Sequence, residues 1–550
     1  MGPASTPGST NDPDAAGVGR RKFLKGLGAA GAAATGLGAL DATLGAVPAR
    51  ALGPAATGDD IPGGVFTLGV ASGDPTDDSV VLWTRAAPPP DNADVDVWWE
   101  LATTPDFVAP LASGQIIVGT ATDHCAKVTP TGLAADTWYY YRFAARGAQS
   151  PVGRTRTFPA PGSSPERVRF AVAGCQLYQN GFFGAYNTIA TEDIDFVLFL
   201  GDYIYEYGGH DPGYPRNPVR FDPVDHPTTR AGFSHKYRLY RSEVPLQQAH
   251  QNVPFIAVWD DHELADNYGP DTPNSVKDAA YGTWFDYMPT NYQGVPDDPY
   301  RIFRKRAWGD LAEIFALDER QYRSLEPRDR VVTAKWQPPW QESQTMLGAA
   351  QKQWLVDGLL GSNAAWKVLG NAVMMTPLRI VDLDEPLMRK LNPNLAQNAG
   401  IFVNMDQWDG YQRERLDILN AVNDSDVEDL IVLTSDIHTW WTSSVPLNVD
   451  DPSSPKLAAE FVTSSLSSPG LDGEYPLSWQ DQFALQNTLK RQNPYFDFIN
   501  LLTRGYSIVE ITPEACTVDY YTADIGVPDP TPEILARFKV NRGSSSIETL

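Results

Sequence analysis

Short apolar runs recur along the chain, and several of them end in residues that can bind metal ions. The run 196–200 consists of five apolar residues and predicts a buried strand. Gly201 and Asp202 follow it and place a carboxylate at the carboxyl end of that strand. Ligands bind at this edge in open α/β sheets, although Gly-Asp is also a common turn sequence.

Between about residues 62 and 160, the pattern of β-forming residues predicts an all-β region. Its clearest runs are 80–84, 95–100 and 138–143, separated by Pro, Gly and Asp clusters. Strands at this spacing in roughly 100 residues are typical of a small fibronectin- or immunoglobulin-like sandwich. The run 133–142 resembles the tyrosine-bearing turn that precedes a late strand of such sandwiches. We therefore predict an N-terminal β-sandwich domain at 62–160, followed by a Pro/Gly/Ser-rich linker at 158–165.

Beyond the linker, apolar runs alternate with helical patterns, which predicts a layered α/β domain at 166–527. Its predicted strands include 168–173, 196–200, 254–258, 366–370, 430–434 and 505–511. A helical stretch is predicted from Tyr237 to His250. Residues 264–345 contain many Pro, Asp and Tyr and predict a large insertion with helices. Residues 456–527 mix strands with loops, and 528–550 are predicted to form a C-terminal tail.

The first 51 residues have the pattern of an export signal. Gly19–Lys25 contains Arg-Arg-x-Phe-Leu-Lys, the twin-arginine pattern, and a Gly/Ala-rich stretch follows from Gly26 to Val47. Ala49–Ala51 supplies a small-x-small cleavage site; a disordered basic tail is the alternative interpretation. We predict a twin-arginine signal peptide at 1–51, and hence a secreted protein that passes through the twin-arginine export machinery. No later run reaches the ~18 apolar residues of a transmembrane segment.

Composition limits the classes of function. The formal net charge is −25, and no Lys/Arg-rich run follows residue 30, which argues against a nucleic-acid or anionic-membrane surface. The 550 residues exceed what one core usually holds, so more than one domain is expected. The cysteines Cys125, Cys175 and Cys516 cannot form a disulfide framework, although one pair could form.

Strand ends in the predicted α/β domain carry side chains that bind metal ions. These are Cys175; Asp202 with Tyr205; Asp261 with His262; Asn371; and Asp436 with His438. Two neighbouring metal ions need a bridging carboxylate, flanking ligands and an open position for water. Thiolate and phenolate favour Fe(III), whereas Asp and Asn oxygens favour Ca²⁺, Mg²⁺ or Mn²⁺. With seven histidines in the chain and two at strand ends, an all-imidazole zinc pair is poorly supplied.

Each of these side chains also has an ordinary structural interpretation. Cys175 is a typical small buried residue, and Asp261 and Asp436 are typical helix caps. The others are equally suited to packing, turns or hydrogen bonding. The metal-site interpretation depends on their ordered recurrence at strand ends. The histidines that match no motif, and are taken as structural, are His210, His226, His235 and His250.

Four motifs in this order resemble those of the alkaline phosphatase D (PhoD-like) family of calcineurin-like metallophosphoesterases. They are Gly-Cys-Gln at 174–176, Gly-Asp-Tyr-Ile-Tyr-Glu at 201–206, Trp-Asp-Asp-His-Glu at 259–263 and Ser-Asp-Ile-His-Thr-Trp-Trp at 435–441. The resemblance covers nearly the whole mature chain. It implies an α/β fold, a four-layer metallophosphoesterase β-sandwich flanked by helices, with an N-terminal all-β fibronectin/Ig-like sandwich domain.

The resemblance also implies a centre that holds Fe(3+) and Ca(2+). Cys175 and Tyr205 would bind the iron, and Asp202 would bridge the two ions. Because Ala173 stands before Gly174, the first-motif Asp of related enzymes is absent, which leaves the number of iron ligands open.

The remaining implied ligands lie later in the chain. Asp261 would replace the usual Asn ligand of the second ion, and Asn371 follows a strand where relatives carry a His ligand. Asp436 and His438 would divide between the two ions, with His438 on the iron side.

The implied reaction is hydrolysis of phosphomonoesters and phosphodiesters by a metal-activated water, without a phosphoenzyme. His262 would hydrogen-bond the phosphoryl oxygen or protonate the leaving group. Phospholipase D activity on phospholipid headgroups is an alternative, because some relatives have it, and a cell-wall polymer is a further candidate substrate. An alternative of another class is a non-catalytic exported protein that binds calcium or a glycan.

Overall fold

The computed structural model describes residues 64–211, 218–291, 294–326, 342–383, 390–391, 400–402, 404–449, 451, 453–475 and 477–550. The predicted signal peptide lies outside these residues. The strands that lead up to the second large sheet are β1 (Val70–Gly73), β2 (Val81–Arg85), β3 (Val95–Ala102), β4 (Ala112–Val118), β5 (Cys125–Val128), β6 (Trp138–Ala145), β7 (Ala148–Gln149), β8 (Gly153–Arg156), β9 (Val168–Ala173), β10 (Phe196–Leu200) and β11 (Phe255–Val258). The later strands are β12 (Arg304–Trp308), β13 (Ala312–Ala316), β14 (Trp366–Gly370), β15 (Arg379–Asp382), β16 (Gly400–Phe402), β17 (Leu430–Thr434), β18 (Trp440–Pro446), β19 (Lys456–Val462), β20 (Phe496–Asn500), β21 (Gly505–Ile511), β22 (Ala515–Thr522), β23 (Glu533–Asn541) and β24 (Ile547–Thr549). The helices are α1 (Ala185–Ile189), α2 (Arg230–Arg241), α3 (Val244–Asn252), α4 (Asn274–Tyr287), α5 (Gly348–Leu360), α6 (Gln412–Asp424), α7 (Leu471–Glu474) and α8 (Trp479–Gln492).

Two large sheets form the body of the described chain. The first has the strand order β24-β23-β22-β21-β9-β10-β11-β1-β2-β5, and the second has the order β12-β13-β14-β17-β19-β18-β20. At the centre of the first sheet β9, β10 and β11 are parallel, and in the second sheet β14 and β17 are parallel. All five of these strands carry predicted ligands just beyond their carboxyl ends.

The sheets pack face to face, with helices on their outer faces. Leu198 and Leu200 of β10 approach β14 so closely that a Cβ added at Gly370 would lie 3.4 Å from both side chains. On the outer face of the second sheet, Leu355 of α5 and Ile418 of α6 share one core cluster with apolar residues of β13, β14 and β17. Helix α3 packs against α1 and β1 of the first sheet. The layers are therefore helix, sheet, sheet and helix, which confirms the predicted fold class.

The N-terminal strands form the predicted β-sandwich, and three of them also continue the first large sheet. Strands β3, β4, β6, β7 and β8 make a small sheet whose apolar face packs on β1, β2 and β5. The hydroxyl of Tyr139 accepts a hydrogen bond from the backbone N–H of Ala134 at 2.9 Å, as expected for the tyrosine-bearing turn. However, β1, β2 and β5 continue the first large sheet, because β1 pairs with β11 at Gly73 and Phe255. The domain boundary in the linker thus stays a prediction.

Several elements differ from the predicted ones. The predicted helical stretch from Tyr237 to His250 spans two helices, α2 and α3. The second has Pro245 in its first turn, where a backbone N–H has no partner within the helix and proline is therefore tolerated. The predicted insertion supplies β12 and β13 at one edge of the second sheet. The predicted tail supplies β23 and β24 at one edge of the first. All three cysteines are buried and none is in a disulfide, so the one pair considered does not form. No helix in the described part is both long and apolar enough to cross a membrane.

The buried carboxyl group of Asp409 gives a prediction about the pH dependence of stability. Burial raises its pKa from 3.8 to about 8, against the effect of hydrogen bonds from the Leu378 N–H and Gln412 Nε2. The folded protein keeps this proton up to about pH 8, whereas the unfolded chain releases it near its ordinary pKa of 3.8. Because the native state then binds more protons, this group makes the free energy of unfolding fall as pH rises between those values.

Asparagine does not titrate in this range, so Asp409→Asn should not lose this stability as the pH rises. We therefore expect the variant, measured against the wild type, to be more stable at pH 9 than it is at pH 5. The Gln412 amide can rotate to accept the new N–H, so the fold is retained. Urea unfolding of both proteins at the two pH values measures the difference in free energy of unfolding between variant and wild type. The same difference at pH 5 and pH 9 would refute the raised pKa of Asp409.

Candidate metal centre

Four of the predicted ligands have a left-handed backbone conformation just beyond a strand. They are Cys175, Asp202, Asp436 and His438, with φ of 56°, 57°, 61° and 59°. Non-glycine residues rarely adopt this conformation, which costs ~1–3 kcal/mol each and clusters at functional sites. Here it turns the chain sharply after β9, β10 and β17, so that the side chains collect at one edge of the two sheets.

Among the described residues, the first group of potential ligand atoms belongs to Cys175, Asp202 and His438. Their ligand atoms all lie within 4.8 Å of one another, and all three residues are buried. The hydroxyl of Tyr205 joins them: it donates to Asp202 Oδ2 at 2.8 Å and lies 3.1 Å from His438 Nε2. A thiol, a phenol, an imidazole and a carboxylate form a donor set that fits a strongly acidic ion such as ferric iron.

Two further groups overlap the first and consist mainly of carboxylates. Asp202 also lies within 4.8 Å of ligand atoms of Asp261 and His262, and Asp261 lies within the same distance of Asp260 and Asp436. The three groups are therefore one continuous cluster, in which Asp202 stands between the iron-type donors and the carboxylates, as a bridging ligand must. Carboxylate oxygens fit a hard cation such as Ca²⁺.

Asn371 lies buried after β14, but its side chain makes its hydrogen bonds outside this cluster. Its Nδ2 donates to the carbonyl oxygen of Val373, and its Oδ1 accepts from the indole Nε1 of Trp408 at 3.2 Å. The structure thus brings together six of the seven predicted ligands and places Asn371 at the same sheet edge in a hydrogen-bonded role. Its assignment as a ligand stays a prediction.

His262 lies within the cluster and is held by a carboxylate that the motif contains but that had no predicted role. Its Nδ1 lies 2.8 Å from Glu206 Oε2, and its ring stacks on Tyr205 with centroids 4.2 Å apart. Burial by itself lowers the pKa of His262, but the carboxylates of Asp261, Glu206 and Asp202 outweigh burial and hold this pKa well above its ordinary value. Its Nε2 faces Asp261 Oδ2 at 3.9 Å.

Glu263 is a second motif residue whose role the sequence did not indicate. Its carboxylate accepts hydrogen bonds from the backbone N–H groups of Asp202 at 3.0 Å, Tyr203 at 2.7 Å and Asp260 at 2.9 Å. It thereby ties the carboxyl end of β10 to that of β11 and fixes the turn that carries Asp202. Burial raises the pKa of Glu263 to about 8.

Two residues of the loop after β19 also hold the ligands in place. Ser468 Oγ lies 2.7 Å from the hydroxyl of Tyr205 and 2.8 Å from the carbonyl oxygen of Cys175. His438 Nδ1 lies 2.8 Å from the carbonyl oxygen of Pro469, which leaves Nε2 directed at the cluster. These residues belong to no motif, and no sequence pattern distinguished them from other loop residues.

A buried cation, Arg320, is the residue that the sequence reasoning missed most completely. It follows β13, and its guanidinium contacts carboxylates of the cluster, including Asp436 Oδ1 at 3.2 Å and Asp261 Oδ1 at 3.5 Å. Arg320 lies in the segment 264–345, which the sequence pattern predicted to be an insertion. Only the pairing of β13 with β14 brings it to the edge where the ligands collect.

Comparison with known proteins identifies close relatives of the chain. A family model described as PhoD-like phosphatase matches residues 170–520, and one described as its N-terminal domain matches residues 53–159. Alkaline phosphatase D of Bacillus subtilis (strain 168) is 34% identical over 521 residues, covering 91% of this chain and 84% of that protein. A solved structure described as the structure of PhoD matches with a TM-score of 0.78 and 31% identity, covering 88% of this chain and 92% of that chain.

Proposed function

The chain belongs to the PhoD-like phosphatase family and is a phosphoric ester hydrolase, and on this premise we propose that it hydrolyses phosphomonoesters and phosphodiesters at the metal centre described above. The observation that carries the proposal is the continuous cluster in which Asp202 links the Cys175 group to the Asp261 group. We further propose that the bound ions are Fe(3+) and Ca(2+), and that the protein is exported through the twin-arginine pathway.

The ions and the side chains would contribute different parts of the reaction. When bound, the two ions would supply the Lewis acidity that makes water nucleophilic and neutralises the phosphate. Cys175, Tyr205 and His438 would hold the iron, and Asp202 would contact both ions. The remaining ligands of the calcium-type ion would be Asp261 and Asp436, and Asn371 is proposed as a further ligand.

His262 would act on the substrate rather than on the ions. Its Nε2–H can donate to a phosphoryl oxygen, or pass a proton to the departing alkoxide, in either case stabilising charge that develops in the transition state. Glu206 accepts at Nδ1 and so directs Nε2 toward the cluster.

A cavity of about 480 Å³ beside the loop that holds His438 would accommodate the leaving alcohol of a diester. Its wall residue Pro469 accepts a hydrogen bond from His438 Nδ1. A second wall residue, Thr503, is linked to the backbone of His438 through Ser464, whose Oγ lies within hydrogen-bonding distance of both carbonyl oxygens. The walls combine polar and apolar residues, namely Asn180, Pro469, Gly473, Leu502, Thr503, Arg504, Thr522, Ala523, Asp524 and Ile525.

One observation favours phospholipase D activity as the second candidate. On helix α8, Trp479 and Phe483 lie one turn apart and are 62% and 45% exposed. The same helix contacts the cavity region, because Gln486 Oε1 accepts from the N–H of Leu501, the neighbour of wall residue Leu502. Exposed aromatic side chains beside a diester pocket suit an interface with a lipid surface.

A substrate panel tests these proposals. The purified full-length protein would be assayed with p-nitrophenyl phosphate, bis-p-nitrophenyl phosphate and phosphatidylcholine vesicles, alongside iron and calcium analysis. We expect hydrolysis of the first two with both ions bound. Release of choline from the vesicles would extend the activity to phospholipids. Bound metal without hydrolysis of any substrate would overturn the proposed activity and favour the non-catalytic alternative.

A further inference from the structure

The buried cation of the acidic cluster, Arg320, has no role in the proposed reaction, yet it contacts more of the cluster than any other cation in the described chain. Its Nη1 lies 2.8 Å from both oxygens of Asp406, and its Nε donates to Asp260 Oδ1. Its Nη2 lies 3.2 Å from Asp436 Oδ1 and 3.5 Å from Asp261 Oδ1. One guanidinium therefore contacts four carboxylates.

All the members of this arrangement are buried. Arg320 is 1% exposed, and the four aspartates are between 0% and 2% exposed. Water cannot compensate the charge of buried carboxylates, and an uncompensated buried charge is strongly destabilising. Nη2 of Arg320 places a positive charge beside both Asp261 and Asp436, and His262 Nε2 faces the other oxygen of Asp261 at 3.9 Å.

The geometry also orients these two carboxylates. The guanidinium is planar, and its Nε and Nη1 are fixed by Asp260 and by the two oxygens of Asp406. Nη2 therefore has a fixed position between Asp261 and Asp436, which come from different sheets. Gln407 Nε2 donates to the other oxygen of Asp436 at 2.5 Å, so both oxygens of that carboxylate are held.

We propose that Arg320 is a positioning residue that takes the place of the second metal ion before that ion binds, keeping Asp261 and Asp436 together so that the calcium-type site is formed in the metal-free protein. The proposal rests on the metal-ligand roles given under the proposed function. Its consequence is that folding of the cluster does not depend on the second ion. Without Arg320, the second ion would have to supply the positive charge that keeps Asp261 and Asp436 together.

The test compares the melting temperature of the full-length protein in EDTA with that in excess CaCl₂, for the wild type and for Arg320→Met. Methionine keeps an unbranched aliphatic side chain but is shorter and has no charge. In EDTA we expect the melting temperature of Arg320→Met to lie about 5 °C below that of the wild type, as for loss of one partner of a buried ion pair in a large domain. Calcium should then raise the melting temperature of the variant by more than that of the wild type, because the ion replaces the lost charge.

A matched control is Arg323→Met. Arg323 is also buried and lies 2.6 Å from Asp406 Oδ1, but its other contacts are backbone carbonyl oxygens of Tyr268 and Asp406. Its loss should lower the melting temperature equally with and without calcium. Arg320→Lys, which keeps the charge, should recover part of the stability in EDTA and reduce the extra gain on adding calcium.

Equal calcium gains in the wild type and Arg320→Met would overturn the proposal. If Arg320→Met does not fold under either condition, Arg320→Lys decides: a loss in EDTA that calcium restores supports the proposal, and an equal loss in both refutes it. These measurements use no phosphoester. Failure of the proposed hydrolysis would appear in the substrate panel and not here.

Discussion

Replacing Asp202 by asparagine is expected to abolish hydrolysis and to remove bound metal at the same time. Asp202 Oδ2 accepts from Tyr205, and its Oδ1 accepts from the N–H of His262 at 3.2 Å, so the carboxylate lies where the two donor groups meet. Asparagine keeps the size of the side chain but loses the negative charge and one oxygen that a bridging ligand requires. Because both ions would use this residue, we expect activity to fall to the background rate.

Metal analysis and turnover of p-nitrophenyl phosphate by purified Asp202→Asn measure both effects together. Asp409→Asn is the matched control, because it makes the same change at a buried aspartate outside the cluster. It should keep full metal content and full activity. Wild-type activity in Asp202→Asn would refute the assignment of the metal centre.

Replacing His262 by alanine is expected to lower kcat while the metal content is unchanged. The side chain contacts Glu206 and Tyr205, and the structure gives it no place among the iron-type donors. Loss of a positioned proton donor typically costs ~10²–10⁴-fold in rate. Glu206→Gln should give a smaller decrease, because Gln can still accept from the N–H of Asp266 but orients His262 less strictly.

The control for this prediction is His250→Ala. His250 is also buried, and its Nε2 lies 2.8 Å from the hydroxyl of Tyr203, away from the cluster. We expect this variant to lose thermal stability but to keep kcat. Unchanged kcat in His262→Ala, measured at saturating substrate with metal content verified, would exclude a role for His262 in the chemical step.

The sheet edge at which the ligands meet was predictable because its strands are short apolar runs. Each of β9, β10 and β17 is buried along its whole length or nearly so, and the polar residues that follow stand out against that pattern. Parallel strands then bring residues far apart in sequence to one edge. For this reason Cys175 and Asp202, which follow the paired strands β9 and β10, could be placed together without knowledge of the structure, whereas Asp436 follows β17 of the second sheet and reaches them through the packing of the two sheets.

The parts that could not be predicted depend on pairing between distant strands. Strand β12, with the sequence Arg-Lys-Arg-Ala-Trp, has no apolar run and is stabilised by its neighbour β13. Because β12 and β13 were not predicted to join the second sheet, Arg320 could not be placed beside Asp436. Glu263 stood in a recognised motif, but its backbone contacts become visible only when β10 and β11 are side by side. For Asn371, the order of motifs indicated the right edge of the sheet but not the hydrogen bonds of its side chain.

The continuity of the N-terminal strands with the catalytic sheet bears on how the protein can be divided. Asp74, just after β1, is buried and lies 2.7 Å from Nε of Arg304, whose Nη2 donates to the carbonyl oxygen of Ala257 in β11. The N-terminal region therefore pairs, at Phe255, with the open side of β11, the strand that leads to Asp261. A truncated catalytic fragment would leave that backbone edge uncovered and liable to pair with other chains. The sandwich is thus better understood as a fixed cover for one strand edge of the catalytic sheet than as a separable domain.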